Sequence, residues 1–236
     1  MTPMPTRRDG LPFDLAHATR TLAARDRRLA RVIATAPPFR LATDQADSPY
    51  ETLLRAITYQ SISRAAATTI FARIRALGGD SGLPTPERML TLRTPKLRKA
   101  GLSAAKILAM KDLARKAVAG AVPTLDEARP MSDAELVERL VAVRGIGVWT
   151  VEMLLIFRLG RPDVLPIHDL GVRTGWAITY GKPELPTPRA LLAFGERWRP
   201  YRTVASWYLW RACEAGQAAF RRRRARLSAG QTRSSL

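Results

Sequence analysis

Helix-start signals recur along this chain at short intervals, and they constrain its fold more than any other feature. Ser48-Pro49-Tyr50-Glu51 sets an N-cap, a first-turn proline and a capping-box glutamate in order. Thr85-Pro86, Thr94-Pro95 and Thr187-Pro188 repeat the cap-and-proline pair; Ser132-Asp133-Ala134-Glu135 is another capping box, and Ser103 is placed to cap the segment after Gly101. Between these signals the apolar residues follow helical spacing, as in Leu53, Leu54 and Ile57, or Leu136, Val137, Leu140 and Val141. The pattern predicts helices over 14–35, 49–77, 86–91, 95–99, 104–119, 133–142, 148–159, 170–180, 188–197 and 202–220. No segment alternates with a period of two; Val164-Leu165-Pro166-Ile167 is extended but too short for a sheet. The expected class is all-α. At 236 residues the chain can bury a core without staples. Residues 1–12 read as a flexible N-terminus, 13–220 as an unbroken helical body, and 221–236 as a basic disordered tail, with a helical first turn as the alternative.

The charge narrows the partner. Lys and Arg number 39 against 20 Asp and Glu, a net charge of +19 with a pI of ≈ 11.4. Residues 221–236 hold six arginines and no acid, and removing those six still leaves +13 on the body. A cationic body, not only a cationic tail, points to nucleic acid rather than to a membrane surface. Arginine greatly outnumbers lysine, so compositional bias is the competing explanation. One cysteine, Cys213, rules out an internal disulfide, a cysteine zinc site and a four-cysteine iron–sulfur cluster. Two histidines, His17 and His168, leave little for a zinc enzyme. No apolar run is long enough to span a membrane and no signal peptide is visible, so the expected compartment is the cytoplasm, on the nucleoid.

Residues 133–159 read as helix, tight turn, helix, with Arg144-Gly145-Ile146-Gly147 as the turn. Its glycines permit positive φ and close backbone approach. The following helix opens at Val148 with free N–H groups and a positive dipole end, which suits a phosphate and reads no base sequence. The same turn also serves as a plain helix connection.

Leu140-Val-Ala-Val-Arg144-Gly-Ile-Gly147-Val-Trp149-Thr150 resembles the hairpin of the helix–hairpin–helix DNA glycosylase superfamily, and Asp169 follows 22 residues after Gly147. Tyr59-Gln60-Ser61-Ile62-Ser63-Arg64-Ala65-Ala66, Gly101-Leu102-Ser103-Ala104-Ala105-Lys106, and Trp198-Arg199-Pro200-Tyr201-Arg202 with Trp207 to Trp210 resemble further stretches of that superfamily in the right order. The last of these resembles the alkylation-repair branch, the DNA-3-methyladenine glycosylase II group, in its compact form without an N-terminal β domain. The resemblance implies two helical lobes with a DNA-binding cleft, the middle lobe over about 52–165 and the other over about 13–51 plus 166–220. It implies a monomer that excises alkylated purines from damaged duplex DNA, by base flipping and hydrolysis of the N-glycosidic bond.

The resemblance implies roles for individual residues. Asp169 is the catalytic carboxylate, although on local sequence it also reads as the N-cap of the helix after it. Asp163 and Glu152 are rival carboxylates; Asp163 reads as a solvated turn residue. The residue that is a nucleophilic lysine in bifunctional relatives is Trp149 here, so no lyase activity is expected. Trp210 is the leading base-pocket aromatic, with Trp149, Trp207, Tyr59 and Tyr208 as further candidates. Ser61 or Ile62 is the intercalating wedge, with a core role for Ile62 as the alternative. Arg144, Gly145, Ile146, Gly147, Val148 and Thr150 form the phosphate-binding hairpin, and the carbonyls of Val141, Val143 and Ile146 would hold a monovalent cation, Na+ or K+. No other cofactor is expected. Arg144, Arg173 and Arg202 are candidate phosphate contacts. Two other readings stay open: a non-catalytic DNA-binding module, and a glycosylase for hypoxanthine, uracil or ethenoadenine.

Overall fold

A computed structural model describes residues 11–41, 48–79 and 82–233, with side chains as far as Arg222. The predicted flexible N-terminus therefore falls almost wholly outside the described residues. The described residues are helical and contain no strand. The helices are α1 (Leu15–Arg25), α2 (Arg27–Thr35), α3 (Pro49–Tyr59), α4 (Arg64–Ala76), α5 (Pro86–Thr91) and α6 (Thr94–Lys99). Then come α7 (Ala104–Val118), α8 (Leu125–Ala128), α9 (Asp133–Val141), α10 (Val148–Phe157), α11 (Leu170–Thr179), α12 (Pro188–Gly195) and α13 (Arg202–Arg233). The chain divides into two compact units, residues 43–159 and residues 1–42 with 160–236.

Most helix starts lie where the caps predict them. Ser48, Thr85, Ser103, Ser132 and Thr187 each accept a backbone N–H of the first turn, and Ser48 and Ser132 complete capping boxes with Glu51 and Glu135. Thr94 is an exception: it lies inside α6, whose cap position is Arg93. Two long predicted helices are broken. The segment 14–35 divides at Asp26, whose carboxylate accepts the Arg28 and Leu29 N–H groups and so opens α2. The segment 49–77 divides at Gln60–Ser63, where Ser61 takes φ 57° and Ser63 caps α4. The short α8, opened by a Thr124–Glu127 capping box, was not predicted. The basic segment predicted as a disordered tail continues α13 to Arg233.

In the middle unit, Leu53, Leu54 and Ile57 of α3 are fully buried with Met110 and Leu113 of α7 and Leu136 and Leu140 of α9. Two lysines hold helix ends there. Lys106 Nζ donates to the Thr58 carbonyl (2.6 Å), and Lys111 Nζ to the carbonyls of Met89, Leu90 and Leu92 (2.7 Å each). These orphan C-terminal carbonyls have no partner within their helices.

The other unit packs around Trp198, which is fully buried among Leu22, Leu29, Val172, Leu191, Val204 and Leu209. Asp26 is the buried carboxylate in this core, and it accepts from Tyr180 Oη and from Trp198 Nε1 (3.0 Å) besides its two capping bonds. Burial alone raises its pKa, but these four donors outweigh burial and hold it below the usual carboxylate value. Small residues let α11 and α13 approach closely. A Cβ on Gly175 would lie 1.9 Å from the Leu209 carbonyl oxygen, and one on Gly216 would lie 2.9 Å from Ile178.

Candidate functional site

The loop that delivers Asp169 is stapled to the start of α13. Arg202 meets Asp163 side-on, Nε to Oδ1 at 2.7 Å and a terminal nitrogen to Oδ2 at 3.0 Å. Arg199 adds a third bond to Asp163 Oδ2 at 2.7 Å, and Thr203 Oγ1 bridges the Arg161 carbonyl and the Val164 N–H. Two expectations are corrected here. Asp163 is not a solvated turn residue but the acceptor of a bidentate arginine pair, the strongest ion-pair geometry available to it. Arg202, only 11% exposed, is committed to Asp163 and Glu196 rather than open to phosphate. Arg173 donates to the Pro186 carbonyl (2.9 Å).

Asp169 caps α11, its Oδ1 accepting the Val172 N–H at 2.7 Å. The same oxygen accepts Trp210 Nε1 from α13 at 2.8 Å. A half-buried indole N–H needs an acceptor, and here it orients a carboxylate. Gly171 makes room for the ring: a Cβ there would lie 2.8 Å from Trp210 Cδ1 and 3.1 Å from Asp169 Oδ1. The helix cap and the indole contact thus converge on one carboxylate oxygen. Cys213, buried one turn beyond Trp210, has its thiol pushed up first by burial and then by the Asp169 charge.

Trp207 and Tyr208 do not stand with Trp210. They are 6% and 4% exposed, Trp207 packs on Phe39 and Tyr208, and its Nε1 donates to the Arg40 carbonyl (3.1 Å). A spacing of three placed Trp207 on the face of Trp210, yet the Phe39 segment covers it. Both are core residues rather than base-stacking surfaces.

The hairpin lies in the middle unit. Gly145 has φ 79°, the left-handed value the turn requires, whereas Gly147 has an ordinary φ of −101° and faces open space. Gly147 caps α10 without a side chain, and the N–H groups of Gly147 and Val148 reach no acceptor among the described residues. A pair of N–H groups without an acceptor at a helix N-terminus is chemically suited to an anion. Arg144 is exposed beside it; Ile146 and Thr150 are buried beneath it. Two residues of α7, Asp112 and Lys116, grip the turn and were not foreseen. Asp112 Oδ2 accepts the Arg144 N–H (2.8 Å), and Lys116 Nζ donates to Asp112 (2.7 Å) and to the Ala142 carbonyl (2.5 Å). In sequence they are an ordinary i,i+4 helix pair.

Gln60 Nε2 donates to the Gly145 carbonyl at 2.9 Å, which ties the expected wedge turn to the hairpin. Ser61 and Ile62 are both exposed on that turn, and Ile62, at 38%, is not a core residue. Beside it an open concavity of ≈ 530 Å³ brings together Tyr59, Ser61, Trp149 and Thr150 with Met153 and Phe157. Trp149 is 46% exposed. Around the hairpin the carbonyls of Val141 and Ile146 accept no hydrogen bond among the described residues, and that of Val143 accepts the Ile146 N–H. Carbonyl oxygens with unused lone pairs fit a hard monovalent cation. Glu152, the other rival carboxylate, is half-buried on α10.

The chain is 40% identical over 185 residues to DNA-3-methyladenine glycosylase 1 of Schizosaccharomyces pombe, covering 78% of this chain and 80% of that protein. Its fold matches a structure of the S. pombe 3-methyladenine DNA glycosylase Mag1 in complex with abasic DNA, with a TM-score of 0.72 and 37% identity over 84% of this chain and 97% of that one. It also matches a DNA-3-methyladenine glycosidase from Bacillus halodurans, with a TM-score of 0.76 and 34% identity over 83% and 88% of the two chains. Residues 54–200, including the hairpin and Asp169, match the family described as HhH-GPD superfamily base excision DNA repair protein, and the chain belongs to that superfamily.

Proposed function

We propose that this chain is a DNA glycosylase of base excision repair that releases alkylated purines of the 3-methyladenine type from duplex DNA and has no lyase activity. The observation that carries the reading is the Asp169 carboxylate, held by the α11 cap and by Trp210, in a chain 40% identical to a 3-methyladenine glycosylase.

An alkylated purine carries positive charge, so its bond to C1′ is already weak. When that bond breaks, its electron pair neutralises the departing base and leaves an oxocarbenium-like sugar. A fixed carboxylate at C1′ stabilises the cation and takes the proton of the water whose oxygen then bonds to C1′. Asp169 is the group for both tasks. A second, acidic carboxyl, as in glycoside hydrolases, is unnecessary for a cationic leaving group. Trp149 stands where a Schiff-base lysine would be needed for strand cleavage.

The target base must leave the stack before it can react. The exposed Ser61–Ile62 turn is suited to fill the gap it leaves, and Tyr59 and Trp149 supply aromatic faces in the concavity beside that turn. The hairpin N–H groups would hold backbone phosphate, and Val141, Val143 and Ile146 would hold a Na+ or K+ ion that steadies the turn against it.

Chromatography of bases freed from methylated duplex DNA tests the reading. The expected result is free 3-methyladenine with an intact, alkali-labile strand and no DNA–protein adduct after borohydride. A borohydride-trapped adduct, or no freed base, contradicts it.

A further inference from the structure

One strongly basic surface lies outside everything used so far. Arg27, Arg28 and Arg31 of α2 line a concavity of ≈ 630 Å³ with Thr179 and Gly181 at the C-terminal end of α11. Like charges at i and i+4 on one helix repel, so Arg27 and Arg31 are a poor choice for helix stability alone. Among the described residues no carboxylate pairs with any of the three arginines. Asp26, beside them in sequence, is turned into the core toward Tyr180 and Trp198. Arg28 donates to the Tyr180 carbonyl, and the Tyr180, Gly181 and Lys182 N–H groups close back onto Trp176, Ile178 and Ala177. The carbonyls of Trp176, Ala177, Ile178 and Tyr180 are therefore occupied. A second observation is independent of the arginines: Thr179 Oγ1, in the wall of the concavity, is buried without a hydrogen-bond partner among the described residues. A hydroxyl and three guanidinium groups that no carboxylate neutralises, around one hollow, are a recognition set for a phosphate.

We propose that this concavity binds a backbone phosphate of duplex DNA, as a contact separate from the hairpin. The proposal rests on the reading that the chain acts on DNA. The ten residues of α11 separate the concavity from Asp169 by about 15 Å at 1.5 Å per residue. A phosphate held there is therefore remote from the reacting nucleotide, and it contributes to affinity and not to the chemical step.

The test compares the full chain with the double variant Arg27→Ala/Arg31→Ala, measuring binding of an undamaged duplex across a salt series and base release at saturating DNA. Both arginines are exposed, and alanine favours the helix. The variant is expected to bind about tenfold more weakly at low salt, with a slope shallower by about one to two, while base release at saturation is unchanged. Arg27→Lys/Arg31→Lys should recover most of the slope. Thr179→Val should weaken binding with no change in slope. Unchanged slope and affinity in the alanine variant overturn the proposal and leave an acidic protein surface as the partner. Arginine side-chain NMR shifts induced by inorganic phosphate but not by duplex overturn it in favour of a free anion. A wild-type chain that binds no duplex is a distinguishable failure, because it defeats the DNA reading and this proposal together.

Discussion

At the scale of single residues, Asp169 and Asp26 show how placement divides two carboxylates into different tasks. Asp169 is half-buried at a helix start, where its Oδ1 accepts the Val172 N–H and the Trp210 indole N–H; Asp26 is buried with four donors. Gly171 controls the first site by being small. Gly171→Ala should drive the Trp210 ring away from Asp169, at an overpacking cost of about 1–3 kcal/mol. Single-turnover base release should fall by at least tenfold, about 1.4 kcal/mol of transition-state stabilisation. Wild-type release with the ring unmoved in a crystal structure would remove Trp210 from its positioning role. Asp26 controls the second. Its folded pKa lies below its unfolded value of about 3.9, so its contribution to stability is present above pH 4 and is lost as pH falls through the lower folded value. Asp26→Asn should cost about 1–3 kcal/mol at pH 7 in chemical denaturation, and the gap to wild type should close below pH 4. A gap independent of pH would mean that packing, not charge, sets the loss.

At the scale of elements, the two hairpin glycines separate folding from binding. Gly145→Ala places a Cβ at φ 79° and should cost roughly 1–2 kcal/mol in stability. Gly147→Ala has an ordinary φ and open space, so its melting temperature should match wild type. Its methyl group would nonetheless stand where a phosphate approaches, and duplex affinity should fall equally for all base sequences. A loss confined to some sequences would mean that the turn reads bases. Most helices were legible because caps and prolines are local signals. The breaks at Asp26 and Ser61 were not, because apolar spacing continues through both. Asp26 leaves its helix to serve Tyr180 and Trp198, and Ser61 adopts a left-handed backbone that no side-chain pattern announces. The continuation of α13 into the arginine run was likewise hidden by its charge.

At the scale of the whole molecule, the excess of 39 basic over 20 acidic residues fits a polyanionic partner, and much of it is arginine on exposed helix faces. Charge and motif made the superfamily legible, but not how its parts are held. Asp169 meets Trp210 across 41 residues, Asp163 meets Arg202 across 39, and Gln60 meets Gly145 across 85. Each pair consists of residues that locally read as cap, turn or surface. Only the fold brings them within hydrogen-bond distance, and burial of Trp207 beneath Phe39 is invisible for the same reason. The central claim is that one carboxylate, fixed at the head of α11, performs the chemistry. It is tested most directly by single-turnover release of 3-methyladenine from methylated duplex by wild type and Asp169→Asn, with duplex affinity measured on both. The account predicts that the variant binds duplex as wild type does and releases base at least about 100-fold more slowly. Release at the wild-type rate by a variant that binds normally would contradict it.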